Sequence, residues 1–198
     1  MPRTVAILIF DGVEPLDAVG PFEAFYCAEG EDGEAPFDVG LAAETSAPVT
    51  AAGGLVMTPR WSFAELPRPD ILLVPGGPGA RPLAKRSDMT AWIAARDKES
   101  ELMLSVCTGA QLLAAAGLLK GLKATTHWST YDWLARIEPT AEIVRGARWA
   151  DNGRIVCSSG VSAGIDMALH VIARLHGAET AARAARAMEY EHWPPRAG

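Results

Sequence analysis

Short apolar runs alternate along the chain with longer segments whose apolar residues recur at helical spacing. The runs predicted to be strands are 5–10, 37–43, 70–75 and 102–106, the first of them buried on both faces. The segments predicted to be helices are 18–27, 87–98, 110–116, 129–136, 160–175 and 178–191. Strands that alternate with helices in this way predict an α/β fold with a mainly parallel sheet.

Cap and turn residues mark where several of these elements begin and end. Asp17 stands where an N-cap would precede the first helix, and Pro21 then falls in its first turn. Gly117 is placed to end the helix at 110–116, and Ser129 is placed to cap the helix at 129–136. These positions fix the predicted boundaries of three helices.

Three further segments read as hairpins or exposed tips. The Asp151-Asn-Gly153 turn predicts a hairpin between strands at 143–150 and 154–158. The segment 48–57, which contains Gly53-Gly54, predicts either a small hairpin or an excursion at the sheet edge. The segment 121–128 predicts a short strand that leads to an exposed tip.

Charge and cysteine content narrow the possible partners. The 198 residues carry a formal net charge of -6, which argues against nucleic acid or an anionic membrane as a partner. No apolar run approaches the roughly 20 residues of a membrane span, and the N-terminus shows no signal-peptide cleavage site. Three widely spaced cysteines without a CxxC pair predict neither disulfides nor a metal site, which favours a cytoplasmic location. Without repeats or linkers, residues 1–198 are predicted to form a single domain, and no cofactor motif is visible.

The junction at Cys107 carries the clearest candidate chemistry. Cys107 stands where the strand at 102–106 turns directly into a helix, and Gly109 follows two residues later. Such a junction holds its residue in a strained bend that projects the side chain out of the sheet, as in a nucleophile elbow. Backbone N–H groups and the helix dipole are expected to favour the thiolate there. A lone cysteine among apolar residues is more often structural, but this strand–Cys–Thr–Gly–helix pattern favours a nucleophile.

Two other positions follow the carboxyl ends of predicted strands. Asp17 is either a plain N-cap or an active-site residue, because open α/β sheets place their active sites at this edge. Gly76-Gly77-Pro78-Gly79 follows another strand but matches neither phosphate-binding pattern, GxGxxG or GKS/T. The loop is therefore predicted to form an oxyanion hole, since glycine lets backbone N–H groups approach a reacting centre.

Four sets of residues, in order along the chain, resemble the ThiJ/PfpI superfamily, which is related to the class I glutamine amidotransferases. They are Asp11-Gly with Leu16-Asp17-x-x-Gly20-Pro21, Val74-Pro-Gly-Gly77, Ser105-Val-Cys107-Thr-Gly109 and Ala124-Thr-Thr-His127-Trp128. With Gly160-Val-Ser-Ala-Gly-Ile-Asp166, Glu189-Tyr190 and Pro194-Pro195, they are most similar to the isonitrile hydratases. The resemblance implies a flavodoxin-like fold with helices on both faces of the sheet. The same patterns occur in the amidotransferase-like half of some AraC-type transcription regulators.

The resemblance also assigns roles to individual residues. Cys107 matches the nucleophile, and Asp17 occupies the place of the acidic residue that touches its sulfur, a glutamate in most of the superfamily. Gly77 matches a loop whose N–H faces the site, and Thr108 follows the cysteine as in the hydratases. Branches proposed to be proteases carry histidine at the place of Thr108, which counts against proteolysis.

The remaining candidates are one pocket residue and the other histidines and cysteines. Val161 matches a pocket-wall position, which suggests an apolar substrate tail, and His127 is the histidine whose motif matches the family. The others are predicted to be structural: His170 in the core, His176 and His192 at the surface or in packing, and Cys27 and Cys157 as buried thiols.

The activity implied by the resemblance is hydration of an isonitrile to an N-substituted formamide. Cys107 would attack the terminal carbon, Asp17 would act as general acid on the way to a thioimidate, and water would then add. The N–H groups of Thr108 and Gly77 would orient the substrate or the water. Two alternatives remain: a cysteine-based oxidative sensor or small-molecule-binding module, and a glyoxalase- or deglycase-type hydrolase. The resemblance further implies a homodimer acting on a small-molecule substrate.

Overall fold

The apolar strands assemble into a seven-stranded sheet in the computed structural model, which describes residues 1–30 and 33–191. Its strands are β1 (Arg3–Leu8), β2 (Phe37–Ala43), β5 (Trp61–Ser62), β6 (Ile71–Val74), β7 (Leu102–Val106), β10 (Trp149–Asp151) and β11 (Ile155–Ser158). Their order is β10-β11-β7-β6-β1-β2-β5, and every neighbouring pair is parallel except β10 and β11. The prediction of a mainly parallel sheet is confirmed.

Four short strands form two small ribbons beside this sheet. They are β3 (Val49–Thr50), β4 (Val56–Met57), β8 (Lys123–Ala124) and β9 (Glu142–Ile143). The antiparallel β3–β4 pair is the hairpin predicted at 48–57, so the alternative of an edge excursion is wrong. The predicted hairpin around Gly153 is confirmed as β10–β11, but its first arm is shorter than 143–150, because β9 pairs with β8 in parallel instead.

Seven helices of the described residues cover both faces of the sheet. They are α1 (Pro15–Tyr26), α2 (Ala80–Leu83), α3 (Ser87–Asp97), α4 (Gly109–Ala115), α5 (Tyr131–Ile137), α6 (Ala163–His176) and α7 (Ala178–Ala187). Helices α1, α6 and α7 pack together, and α4 packs against α2, α3 and α5. Every residue of the central strands β6 and β7 is consequently buried. None of these helices is long and apolar enough to cross a membrane.

Helix α1 begins earlier than the sequence pattern predicted. Glu14 is extended at the N-cap position, because a proline disfavours helical geometry in the residue before it, and Pro15 opens the helix. Asp17 therefore lies inside the first turn and is not the N-cap. Pro21 lies within the helix rather than in its first turn.

Three other helix ends also differ from the prediction. Val161 has a φ of 49°, outside the helical region, so α6 begins at Ala163 and not at residue 160. Glu189 has a φ of 51°, and α7 has already ended at Ala187 rather than at residue 191. Ser129 does not cap α5, because it lies in a 3₁₀ turn, Trp128–Thr130, that precedes the helix.

Candidate active site

The turn between β7 and α4 has the geometry of a nucleophile elbow. Cys107 has a φ of 57°, a region that residues with a side chain rarely occupy. Its N–H donates a hydrogen bond to the carbonyl oxygen of Ser159 at 3.0 Å, and its carbonyl accepts one from Thr126 Oγ1 at 2.7 Å. A Cβ at position 109 would lie 2.0 Å from the carbonyl oxygen of Val74, at the end of the neighbouring strand β6, so only glycine fits at this position. The predicted elbow is confirmed.

The first turn of α1 brings the carboxyl group of Asp17 to the Cys107 thiol. Asp17 is completely buried, and its Oδ2 accepts a hydrogen bond from the Gly76 N–H at 2.9 Å. The Cys107 thiol and the Val161 N–H also interact with this carboxyl group. Asp17 Oδ1 nevertheless has no hydrogen bond of ordinary geometry within the described residues. Asp17 thus does not cap the helix, and its carboxyl group lies beside the Cys107 thiol.

Burial dominates the protonation of this pair. It raises the pKa of Asp17 from 3.8 to about 7, against smaller lowering effects from the Gly76 N–H and the Cys107 thiol. It also raises the pKa of Cys107 to about 12, with a further contribution from the negative charge of Asp17. The expectation that the elbow favours a thiolate is therefore wrong. Loss of hydration and the neighbouring carboxylate outweigh the backbone N–H groups of Thr108 and Val161.

Thr108 and Gly77 are brought together, but they contact each other. The Gly77 N–H donates to Thr108 Oγ1 at 2.9 Å, and the Thr108 hydroxyl lies 3.3 Å from the Gly77 carbonyl oxygen. The Gly77 N–H is thus already paired and does not act as an unoccupied oxyanion donor, contrary to the prediction. The N–H groups of Thr108 and Val161 interact with the Cys107 sulfur instead.

Gly76 also contributes to the site, although the sequence patterns single out Gly77 in this loop. Besides donating to Asp17, it lies so close to the elbow that a Cβ there would be 2.4 Å from Thr108 Oγ1. Such a Cβ would also lie 3.0 Å from Asp17 Oδ2. The available signal was the glycine pair after a buried strand, but the pair alone does not say which glycine does what.

A cavity of about 570 Å³ opens beside the elbow. The predicted site residues that line it are Cys107, Thr108, Gly77, Val161 and His127. The polar residues Glu14, Arg81, Gln111 and Ser129 and the apolar residues Pro78 and Pro82 also line it. Gln111 was not recognised in the sequence, where it reads as an ordinary helical residue.

His127 belongs to the cavity wall rather than to the Asp17–Cys107 pair. Its Nδ1 is hydrogen-bonded to Ser129 Oγ at 2.7 Å. Its ring packs against Gly160, where a Cβ would lie 2.4 Å from Cδ2. In the described part of the chain no hydrogen bond joins it to Cys107 or Asp17.

The other histidines and cysteines lie away from this cavity. His170 is not a core residue, because it is half-buried at the β10 edge, hydrogen-bonded to Asp151 Oδ2 at 2.7 Å and stacked on Trp149. Cys27 is partly exposed at the C-terminal end of α1, where its sulfur lies 3.5 Å from Glu23 Oε1, so it is not a buried thiol. Cys157 is fully buried and His176 packs on Phe37, so the predictions for these two residues are confirmed. His192, Pro194 and Pro195 lie outside the described residues. No group of three or more metal-ligating side chains occurs among residues 1–30 and 33–191.

Nearly the whole chain is similar to known proteins. The model of the DJ-1/PfpI family matches residues 3–174. The isonitrile hydratase of Pseudomonas putida is 34% identical over 98% of this chain and 82% of its own length. The HTH-type transcriptional regulator GbdR of Pseudomonas aeruginosa is 28% identical, and the match covers 96% of this chain but 51% of the regulator. A solved ThiJ/PfpI family protein from Pseudomonas syringae has a TM-score of 0.87 at 33% identity, covering 99% of this chain and 78% of that one.

Proposed function

The chain belongs to the DJ-1/PfpI family, and we propose that it is a hydratase that converts an isonitrile into an N-substituted formamide with Cys107 as nucleophile. The observation that carries the proposal is the buried contact between the Cys107 thiol and a carboxyl group whose pKa is about 7. The similarity to an isonitrile hydratase over nearly the whole chain supports the choice of substrate.

The Asp17–Cys107 pair holds the proton that the reaction needs. Between the pKa of Asp17, about 7, and that of Cys107, about 12, the pair carries one proton in total. Asp17 takes this proton from the thiol as the sulfur bonds to the terminal carbon of the isonitrile. Asp17 then gives it to the same carbon, so that the product is a neutral thioimidate, S–CH=N–R. Asp17 thus acts first as base and then as acid, and such catalysis is typically worth about 10²- to 10⁴-fold in rate.

Water completes the reaction at the same carbon. Its oxygen bonds to the thioimidate carbon and one of its protons passes to nitrogen. The C–S bond then breaks, the sulfur recovers a proton, and R–NH–CHO leaves. The N–H groups of Thr108 and Val161, which already interact with Cys107, would orient the adduct. No redox partner or metal is required by this balance.

The two alternatives receive less support from the geometry. Oxidation to sulfenic acid requires thiolate character and exposure, whereas Cys107 is only 6% exposed and its pKa is raised. A glyoxalase- or deglycase-type hydrolase would use the same nucleophile on a carbonyl substrate, so the substrate consumed is what separates the two enzymes. The chemistry proposed for Cys107 requires a reduced thiol, which agrees with a cytoplasmic location.

The test is hydration of cyclohexyl isocyanide by the purified protein, with formamide followed by liquid chromatography and mass spectrometry. Cys107→Ala should abolish turnover. Cys157→Ala is the matched control, since Cys157 is also buried but lies outside the cavity, and it should keep turnover. Absence of turnover by folded wild-type protein with a reduced Cys107 would contradict the proposal.

A further inference from the structure

Gln111 combines complete burial with unsatisfied hydrogen bonding at the wall of the reaction cavity. It lies in the first turn of α4, and its side chain is 1% exposed. Neither Oε1 nor Nε2 has a hydrogen-bond partner within residues 1–30 and 33–191. It lines the same cavity as Cys107 and Thr108. A buried amide without partners is costly and rare in folded proteins, so this one calls for a physical reason.

A structural role does not supply that reason. The next two residues of α4, Leu112 and Leu113, are fully buried and pack in the core. An apolar side chain at position 111 would fill the same space without leaving a donor and an acceptor unpaired. The amide is therefore better explained by a partner that enters the cavity.

We propose that Gln111 is a substrate-binding residue, and that the substrate carries a neutral group that both donates and accepts hydrogen bonds, such as a carboxamide. A carboxamide can pair with Oε1 and with Nε2 together, whereas a carboxylate only accepts and would leave Oε1 unpaired. Gln111 follows Cys107 by four residues, and both line the same cavity. The substituent of a Cys107 adduct is consequently the part of the substrate that would meet Gln111. This proposal rests on the proposed function, because that function supplies the isonitrile group that reacts with Cys107.

Two isocyanides of nearly the same shape test the proposal. 2-Isocyanoacetamide carries a carboxamide where isobutyl isocyanide carries an isopropyl group. The wild-type kcat/KM should favour the carboxamide by about tenfold or more, since each satisfied buried hydrogen bond is worth about tenfold. Gln111→Met keeps an unbranched side chain of similar length and should lower this preference by about tenfold. Cys157→Ala should keep the preference. Equal wild-type values, or an equal loss for both substrates in Gln111→Met, would overturn the proposal.

A second measurement separates failure of this proposal from failure of the hydratase assignment. If the wild type hydrates neither isocyanide, Cys107 is alkylated with iodoacetamide and, separately, with methyl iodoacetate. The relative rate of each reagent is its rate with Cys107 divided by its rate with a free cysteine derivative. Iodoacetamide places a carboxamide one methylene away from the sulfur, inside the cavity that Gln111 lines, so its relative rate should be about tenfold higher in the wild type than in Gln111→Met. Equal relative rates in the two proteins would remove the role of Gln111, whatever reaction the enzyme catalyses.

A spectroscopic readout covers the case in which Gln111→Met does not fold. Gln111 is the single glutamine in the sequence, so protein labelled with ¹⁵N at glutamine side chains gives one such amide signal. Alkylation of wild-type Cys107 by iodoacetamide should shift that signal more than alkylation by methyl iodoacetate does. Equal shifts for the two adducts would contradict the proposal.

Discussion

Replacement of Asp17 by asparagine should make the protein more stable while strongly lowering its activity. The pKa of Asp17 rises from 3.8 to about 7 on folding, so the ionised carboxylate is about 4 kcal/mol less favourable in the folded chain than in the unfolded chain. Asparagine keeps the shape and an oxygen that can accept the Gly76 N–H. Allowing about 1 kcal/mol for the altered contact with Cys107, the gain at pH 8 is about 3 kcal/mol. For a chain of this size the melting temperature should rise by about 6–12 °C.

The pH dependence of this gain has a definite sign. Below pH 3.8 the carboxyl group is protonated in both states, and the penalty is absent. Between pH 3.8 and about 7 folding takes up a proton, so the contribution of Asp17 to stability becomes more unfavourable as the pH rises. At pH 5 the penalty is only about 2 kcal/mol, and the gain from asparagine should shrink to about 1 kcal/mol.

Thermal unfolding at pH 5 and pH 8, followed by circular dichroism, measures both effects. Asp166→Asn is the matched control, because Asp166 is also buried but is paired with Arg148 and accepts a hydrogen bond from the Tyr190 hydroxyl at 2.9 Å. That variant should melt at a lower temperature, since it removes the charge of a buried carboxylate that is paired with Arg148. Asp17→Asn should also lose about 10²- to 10⁴-fold in kcat. A melting temperature at pH 8 no higher than that of the wild type would refute the reasoning.

Three further outcomes follow from the same geometry. The kcat/KM for an isonitrile should rise with pH through about 7, because the Asp17–Cys107 pair is reactive when it carries one proton, above the pKa of Asp17. A fall in kcat/KM through that range would mean that the reactive pair carries both protons. Thr108→Val removes the hydroxyl that pairs with Gly77 and should lower the free energy of unfolding by about 1–2 kcal/mol in urea titrations. Light scattering should give about twice the chain mass of 21.0 kDa, because the family resemblance implies a homodimer. A monomeric wild type would contradict that expectation.

The elbow was predictable because its causes are local. The apolar run that forms β7 and the small residues that begin α4, Gly109 first among them, lie close together in sequence. The close approach of the Val74 carbonyl explains why glycine stands at position 109, and a glycine is visible without a structure. The parallel sheet followed from similar local patterns, since each buried strand is a short apolar run.

The pairing inside the site was not predictable from such patterns. Whether the Gly77 N–H faces a substrate or the Thr108 hydroxyl depends on two segments that lie 31 positions apart. The protonation of Cys107 depends on how completely α1, the Gly76 loop and the turn at Val161 exclude water. Sequence spacing identifies which groups meet at the sheet edge, but burial and mutual pairing decide what each of them can do.

Several unfavourable features coincide at this one edge of the sheet. Cys107 and Val161 both adopt positive φ values, a strain that typically costs about 1–3 kcal/mol for each residue. Asp17 and Gln111 both bury polar atoms that lack hydrogen-bond partners within the described residues. None of these features improves folding, and each could be relieved by a single substitution. Because all four side chains converge on the Cys107 thiol or on the cavity beside it, the cost is better explained by chemistry at that thiol than by a structural role.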